Sequence, residues 1–166
     1  RWPVQKESQD LSPFHLQNEI HEWSKIFQLF VNNGVYLCGF ARNQKAYDKA
    51  SNNLFKVLEK LENHLSQYGP WICGETLTLA DIRLFPTLIR WEIVYEPLFI
   101  CSGKPLWIFP NICKWRRRFF EMPNIAETCN SIGWRQDYFG ALFPLRPSNI
   151  IPNGLDIEEI VKGPKS

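Results

Sequence analysis

The sequence predicts an all-α fold, a helical bundle with an irregular C-terminal tail. Three observations predict it. Apolar residues recur at helical spacing through most of the chain, as they must on a helix with one buried face. No stretch shows the two-residue alternation of a half-buried strand. Thr78 and Asp81, just ahead of a further apolar run, have the Ser/Thr-x-x-acid spacing of a capping box. The chain has 166 residues, 45% apolar and 14% aromatic, enough for one domain with a real core.

Leu16, Ile20, Trp23, Phe27 and Phe30 define the first helix, which Asn32-Asn33-Gly34 ends with residues that tolerate left-handed backbone. Tyr47, Ala50, Leu54, Leu58, Leu61 and Leu65 define the second, stopped by Gly69-Pro70. The third begins at the capping box. There the Thr78 oxygen accepts from the N3 amide, and the Asp81 carboxylate reaches back to the amide of Thr78 at the positive end of the helix dipole. Leu77 and Ile82 flank the box where a hydrophobic staple would pack. This helix is expected to reach about Tyr95, kinked or redirected by Pro86. Pro110 opens another, with Ile112, Trp115 and Phe119 on one face and Met122-Pro123 as its stop. A short helix is expected near residues 124–131. From Ile132 onward the pattern is irregular, with Pro144, Pro147, Pro152 and Pro164 preventing long regular elements.

A net charge of +2 gives no reason to expect nucleic acid or an anionic membrane as partner, and no apolar run approaches the roughly 18 residues of a membrane span. Arg1-Trp2-Pro3-Val4 has neither an initiator Met nor a signal-peptide core and reads as a trimmed start. The five cysteines (38, 73, 101, 113 and 129) form no Cys-x-x-Cys pair and no zinc-ligand cluster, so they read as free buried thiols in a reducing, cytoplasmic space. His15, His21 and His64 read as surface residues rather than metal ligands. In Lys114-Trp115-Arg116-Arg117-Arg118, helical spacing turns Trp115 inward and leaves the arginines on solvated outer faces. No Ser-His-Asp order, phosphate loop or nucleophile elbow is present.

Three tyrosines stand at the ends of elements: Tyr36 after the Asn-Asn-Gly break, Tyr95 at the end of the third helix, and Tyr138 in the C-terminal segment. A phenol can donate to a substrate oxygen, yet by spacing alone each reads as a half-buried packing residue.

Several motifs carry a resemblance. Gly74–Phe85, followed by a long helix and Phe109-Pro110-Asn111, resembles the all-helical C-terminal domain of glutathione transferases. Two longer stretches resemble the xi class, the glutathionyl-hydroquinone reductases. Asn32-Asn33-Gly34-Val35-Tyr36-Leu37-Cys38-Gly39-Phe40-Ala41 matches that class's Asn-Gly-Val-Tyr-x-x-Gly-Phe-Ala, and Arg90-Trp91-Glu92-Ile93-Val94-Tyr95 its Arg-Phe-Asp-x-Val-Tyr. Asn149-Ile150-Ile151-Pro152-Asn153-Gly154 is similar to its Ile-Val-Pro-x-Gly tail. Glu92 stands where the class has Asp, Leu98-Phe99-Ile100-Cys101-Ser102 where it has His-Phe-Lys-Cys-Asn, and Asp137-Tyr138-Phe139 where it has His-Tyr-Tyr. Which member of that tyrosine pair lines a pocket stays open at this point; Tyr138 is retained, and Phe139 cannot donate.

The resemblance implies a linker or N-terminal extension over 1–12, a glutathione transferase C-terminal-like helical domain over 13–154 and a tail over 155–166. It implies a substrate-binding domain in which Tyr36, Tyr95 and Tyr138 line an aromatic pocket for a hydroquinone or its glutathione conjugate. Glutathione is the implied co-substrate, with no metal. The nucleophilic cysteine of the family lies in a thioredoxin-like domain, in a Cys-Pro motif absent from this sequence, so no catalytic residue is expected here and the isolated chain is expected to be inactive. The family also implies a homodimer. The alternative is a non-enzymatic interaction module, a role that glutathione-transferase-like helical domains also play.

Overall fold

The computed structural model describes residues 9–141, 148, 150–154 and 156–162. Its helices are α1 (Gln17–Phe27), α2 (Gly34–Gly39), α3 (Gln44–Tyr68), α4 (Leu79–Ile89), α5 (Glu96–Phe99), α6 (Pro110–Phe120), α7 (Ser131–Ala141) and α8 (Ile157–Lys162). The described residues contain no strand, only an isolated bridge between Trp71 and Gly74. The all-α expectation holds.

Helix α3 is the axis of the bundle. Asn43 caps it, accepting from Ala46 N at 2.9 Å, and its Leu54, Leu58 and Leu61 have no exposed surface. It packs against α2 on one side and α6 on the other, while α1 lies on α4. Glu62 of α3 accepts from Asn111 N at 3.0 Å and Ile112 N at 2.9 Å, so a carboxylate from the central helix satisfies the open N-terminus of α6.

The capping box forms, with Thr78 and Asp81 reciprocally bonded. Asp81 does more than cap. It has no exposed surface, and besides Thr78 N (2.9 Å) its oxygens accept from Ile72 N (2.9 Å) and Trp115 Nε1 (2.8 Å). Leu77 is buried and Ile82 packs partly buried against the core.

Element boundaries differ from the spacing pattern in five places, the first being the Asn32-Asn33-Gly34 break, where the backbone stays right-handed at Asn33 and α2 starts at Gly34. The first helix ends at Phe27 and continues as a π-helical turn, Gln28–Asn32. The third stops at Ile89; Arg90 turns, and a second π-helical turn, Trp91–Tyr95, leads into α5. Pro86 is tolerated inside α4, but it offers no N–H to the Ile82 carbonyl, and the helix ends one turn later. The helix expected near 124–131 is only a 3₁₀ turn, Ala126–Thr128. The stretch expected to be irregular from Ile132 holds α7, and α8 follows near the end. Both carry caps. Asn130 Oδ1 accepts from Gly133 N at 2.9 Å ahead of α7. Ahead of α8, Asp156 Oδ1 accepts from Glu158 N at 3.2 Å while Glu159 reaches back to Asp156 N at 3.2 Å. Pro144, Pro147, Asn149 and Pro164, and residues 1–8 of the expected extension, lie outside the described residues.

Two surface assignments are corrected. Arg116 is buried, 2% exposed, because Glu92 meets it across the helix interface. His64 is partly buried, packed between the rings of Trp23 and Tyr68, with Nε2 2.7 Å from the Ile72 carbonyl. Trp23 and Ile72 come from other segments, which spacing along α3 does not show.

Asp81→Ala removes the cap and strands buried donors on three segments. A lost cap and unpaired buried groups each cost about 1–3 kcal/mol. Urea unfolding should therefore show a loss of about 3 kcal/mol or more; a change under about 1 kcal/mol would mean that water replaces the carboxylate.

Candidate functional site

Tyr36, Tyr95 and Tyr138 come from α2, the second π-helical turn and α7, and their hydroxyls meet. Tyr36 Oη lies 3.0 Å and Tyr95 Oη 3.3 Å from Tyr138 Oη. The Tyr36 and Tyr95 rings pack edge to face with centroids 5.9 Å apart, as do Tyr95 and Tyr138 at 6.1 Å. Tyr95 is 3% exposed and Tyr36 38%, so the cluster runs from the core to the surface.

Phe99 is the floor of this cluster. Its ring lies 5.1 Å from Tyr36, 5.6 Å from Tyr95, 6.3 Å from Tyr138 and 5.6 Å from Phe40. Gly39 permits the approach, since a Cβ there would stand 2.5 Å from the Phe99 ring. Phe99 is not a candidate on sequence; the glycine three residues after Tyr36 is the available signal of close packing. Phe139 is buried in the core, and Tyr138 alone of that pair joins the hydroxyls.

The turn bearing Tyr95 is anchored from behind. Arg116 of α6 donates to both oxygens of Glu92, at 2.7 and 2.9 Å, and to the Leu88 carbonyl at 3.1 Å. It also reaches the Ile160 carbonyl at 3.5 Å, while Arg117 donates to the carbonyls of Val161 (3.2 Å) and Lys162, so two arginines hold the C-terminal end of α8. A bidentate guanidinium–carboxylate pair fixes direction as well as distance. Spacing within α6 gives no sign of it.

Burial raises the pKa of both Tyr95 and Tyr36. Tyr95 is raised further by the hydroxyls of Tyr138 and Tyr36; for Tyr36, Tyr138 adds to the rise while Tyr95 and the Arg90 charge oppose it. Both phenols are therefore neutral donors near pH 7. Two hydrogen bonds among three phenols use two of the three protons. Either hydroxyl of each pair can be the donor. Because the buried Tyr95 proton is satisfied by donating to Tyr138, the spare proton falls on Tyr138 or on Tyr36, the most exposed of the three.

The cysteines offer no exposed thiolate. All five are unpaired as disulfides; four are buried and Cys113 is partly so. Burial pushes Cys73 up to about 11 and raises Cys113 and Cys129. The Cys101 thiol donates to the Val35 and Phe99 carbonyls at 3.9 Å, and its proximity to Cys38 lowers Cys38 and raises Cys101. Among the described residues, no cluster of His, Cys, Asp or Glu could hold a metal ion, and no helix is long and apolar enough to cross a membrane. A groove of about 750 Å³ lies apart from the tyrosines, between α6, α8 and residues 152–154, with Trp107, Cys113 and Arg117 on its walls.

Residues 8–123 match the family described as glutathione S-transferase, C-terminal domain. The chain belongs to that family. Within it, the chain is 39% identical over 145 residues to the glutathionyl-hydroquinone reductase YqjG of Escherichia coli, covering 87% of this chain and 44% of that protein. It is 35% identical over 145 residues to the reductase PcpF of Sphingobium chlorophenolicum, covering 87% of this chain and 46% of the other. The glutathione-bound structure of YqjG superposes with a TM-score of 0.87 at 37% identity, over 92% of this chain and 50% of that one. The xi glutathione transferase of Phanerochaete chrysosporium gives 0.85 at 37% identity, over 89% and 48%. This glutathione S-transferase C-terminal domain thus resembles xi-class enzymes along most of its length, and it spans about half the length of the relatives it matches.

Because Tyr36 and Tyr95 ionise later in the fold than in the unfolded chain, their contribution to stability is complete below about pH 10 and is lost as pH rises beyond it. Ultraviolet titration should show Tyr95 ionising only with alkaline unfolding and Tyr36 ionising later than an exposed phenol. Reversible ionisation of all five tyrosines near pH 10 in the folded protein would contradict the burial of Tyr95.

Proposed function

We propose that this chain is the helical substrate-binding domain of a glutathione transferase that acts on glutathionylated hydroquinones. The observation that carries the proposal is the meeting of three phenol hydroxyls from separate segments, on a fold shared with glutathionyl-hydroquinone reductases. The same reading gives the complete protein a thioredoxin-like domain as partner, glutathione as co-substrate and a homodimeric assembly.

The reaction in question breaks an aryl carbon–sulfur bond. A thiolate attacks the glutathionyl sulfur, the bonding pair stays with the ring, and the ring takes up a proton to leave as hydroquinone. A second glutathione thiolate then attacks the mixed disulfide and releases the first thiolate with glutathione disulfide. The thiolate must have a low pKa, and nothing in this chain qualifies as an exposed one. What this domain supplies is orientation and hydrogen bonding. Phe40 and Tyr36, both exposed, offer an aromatic wall backed by the buried rings of Phe99 and Tyr95, and the Tyr36 hydroxyl lies within reach of a hydroquinone oxygen. A neutral phenol held at high pKa keeps its proton through the reaction and stabilises charge gathering on that oxygen.

The isolated chain, mixed with glutathione and a glutathionyl-hydroquinone, should release no hydroquinone; measurable glutathione-dependent turnover would overturn the assignment of the nucleophile to another domain. Calorimetry should nonetheless show hydroquinone binding, and Tyr36→Phe should weaken it about three- to tenfold, the worth of one hydrogen bond. Equal affinities for the variant and the parent sequence would remove Tyr36 from the site.

A further inference from the structure

Arg90 stands between the end of α4 and the hydroxyl cluster with its charge unmatched. Its guanidinium lies over the Trp134 ring, Cζ 4.4 Å from the centroid, and Nη1 donates to the Pro86 carbonyl at 2.6 Å. Trp134 is one helical turn before Tyr138 on α7, so the side chain that Arg90 covers and the phenol that completes the cluster share a face. The Arg90 charge also reaches the Tyr36 phenol and favours its ionised form, against burial and the Tyr138 hydroxyl. Arg116, by contrast, is matched by Glu92. Among the described residues no carboxylate pairs with Arg90, which is only partly buried and keeps most of its donors available.

An unpaired guanidinium beside neutral phenol donors makes a surface for a negatively charged oxygen. Phenols alone would serve a neutral hydroquinone. The cation adds nothing for such a ligand, but it gives a charge-assisted bond to an acidic substituent on the ring. Contact with the Trp134 ring, one helical turn from Tyr138, keeps the guanidinium on the flank of the hydroxyl cluster, where it can meet a substituent projecting from a bound ring.

We infer that Arg90 is the specificity-determining residue of the tyrosine site, selecting aromatic diols that carry an acidic group over neutral ones. The inference rests on the proposed role of the tyrosines in binding an aromatic ligand. It assigns Arg90 to recognition of the substituent and leaves the diol oxygens to the phenols.

Calorimetry on this chain with two probes, hydroquinone and hydroquinone sulfonate, tests it. The unaltered chain should bind the sulfonate about tenfold tighter or more, as a charge-assisted hydrogen bond implies. Arg90→Gln should bring the ratio of the two affinities close to one, and Arg90→Lys should restore part of it. If Arg90 acted only by bracing Trp134 and α7, its replacement would weaken both probes alike and leave the ratio intact, which would overturn the inference. Equal affinity of the unaltered chain for both probes would also overturn it while leaving the tyrosine site standing. Failure of the unaltered chain to bind either probe would overturn both.

Discussion

Asp81 is a carboxylate without exposed surface, and the arrangement of the bundle depends on how its charge is satisfied. One oxygen accepts from Thr78 and starts α4; the other accepts from Ile72 N and Trp115 Nε1. A buried charge is tolerated only when such donors surround it, and here they come from the 71–74 turn, the α4 cap and the middle of α6. Capping, normally a local matter of one helix end, thus becomes a tertiary tie. It sets where α4 begins, and therefore where the chain arrives when α4 ends at Ile89.

From that end point a second buried polar contact takes over. The π-helical turn Trp91–Tyr95 carries Glu92 on one side and Tyr95 on another, and Arg116 grips Glu92 through both oxygens. An inserted residue in a helical turn rotates the side chains beyond it, so the turn's direction must be held by a contact from another element. The pair does that from α6, the helix that Asp81 already ties to α4. Such pairs add little net stability because desolvation offsets attraction, but loss of one partner leaves an uncompensated charge. The value of this one is geometric: it keeps Tyr95 pointing at Tyr138.

Helical spacing makes α1, α3 and α6 legible because each has one continuous apolar face, and the capping box makes the start of α4 legible because its chemistry is local. Helix α7 is hidden for the opposite reason: only Phe139 of its residues is fully buried, so its apolar residues do not form a stripe, and Gly133 and Gly140 argue against a helix. Arg116 reads as solvated in the sequence because its partner lies 24 residues away on another element. The tyrosines are a mixed case. Resemblance to a family singles them out, while spacing gives no reason to bring together phenols whose bonded hydroxyls are 102 and 43 residues apart. The Phe99 floor and the Arg90 flank depend wholly on tertiary packing.

The departures from the xi-class motifs take on a different weight once placed in space. Leu98 and Phe139 face the core, and Asp137 and Ile100 face outward, so none of these changes removes a hydroxyl from the cluster. The costly one is Ile100, a β-branched residue at φ 58°, where L side chains crowd the backbone by about 1–2 kcal/mol. That conformation turns the chain sharply after α5. The Tyr47 hydroxyl donates to the Ile100 carbonyl at 2.7 Å, and Cys101 N donates back to the Tyr95 carbonyl at 3.1 Å. The strained turn is thus bonded to the residue that carries the buried phenol. It fixes Phe99 between Tyr36 and Tyr95, and the aromatic floor is held from α3 as well as from α6.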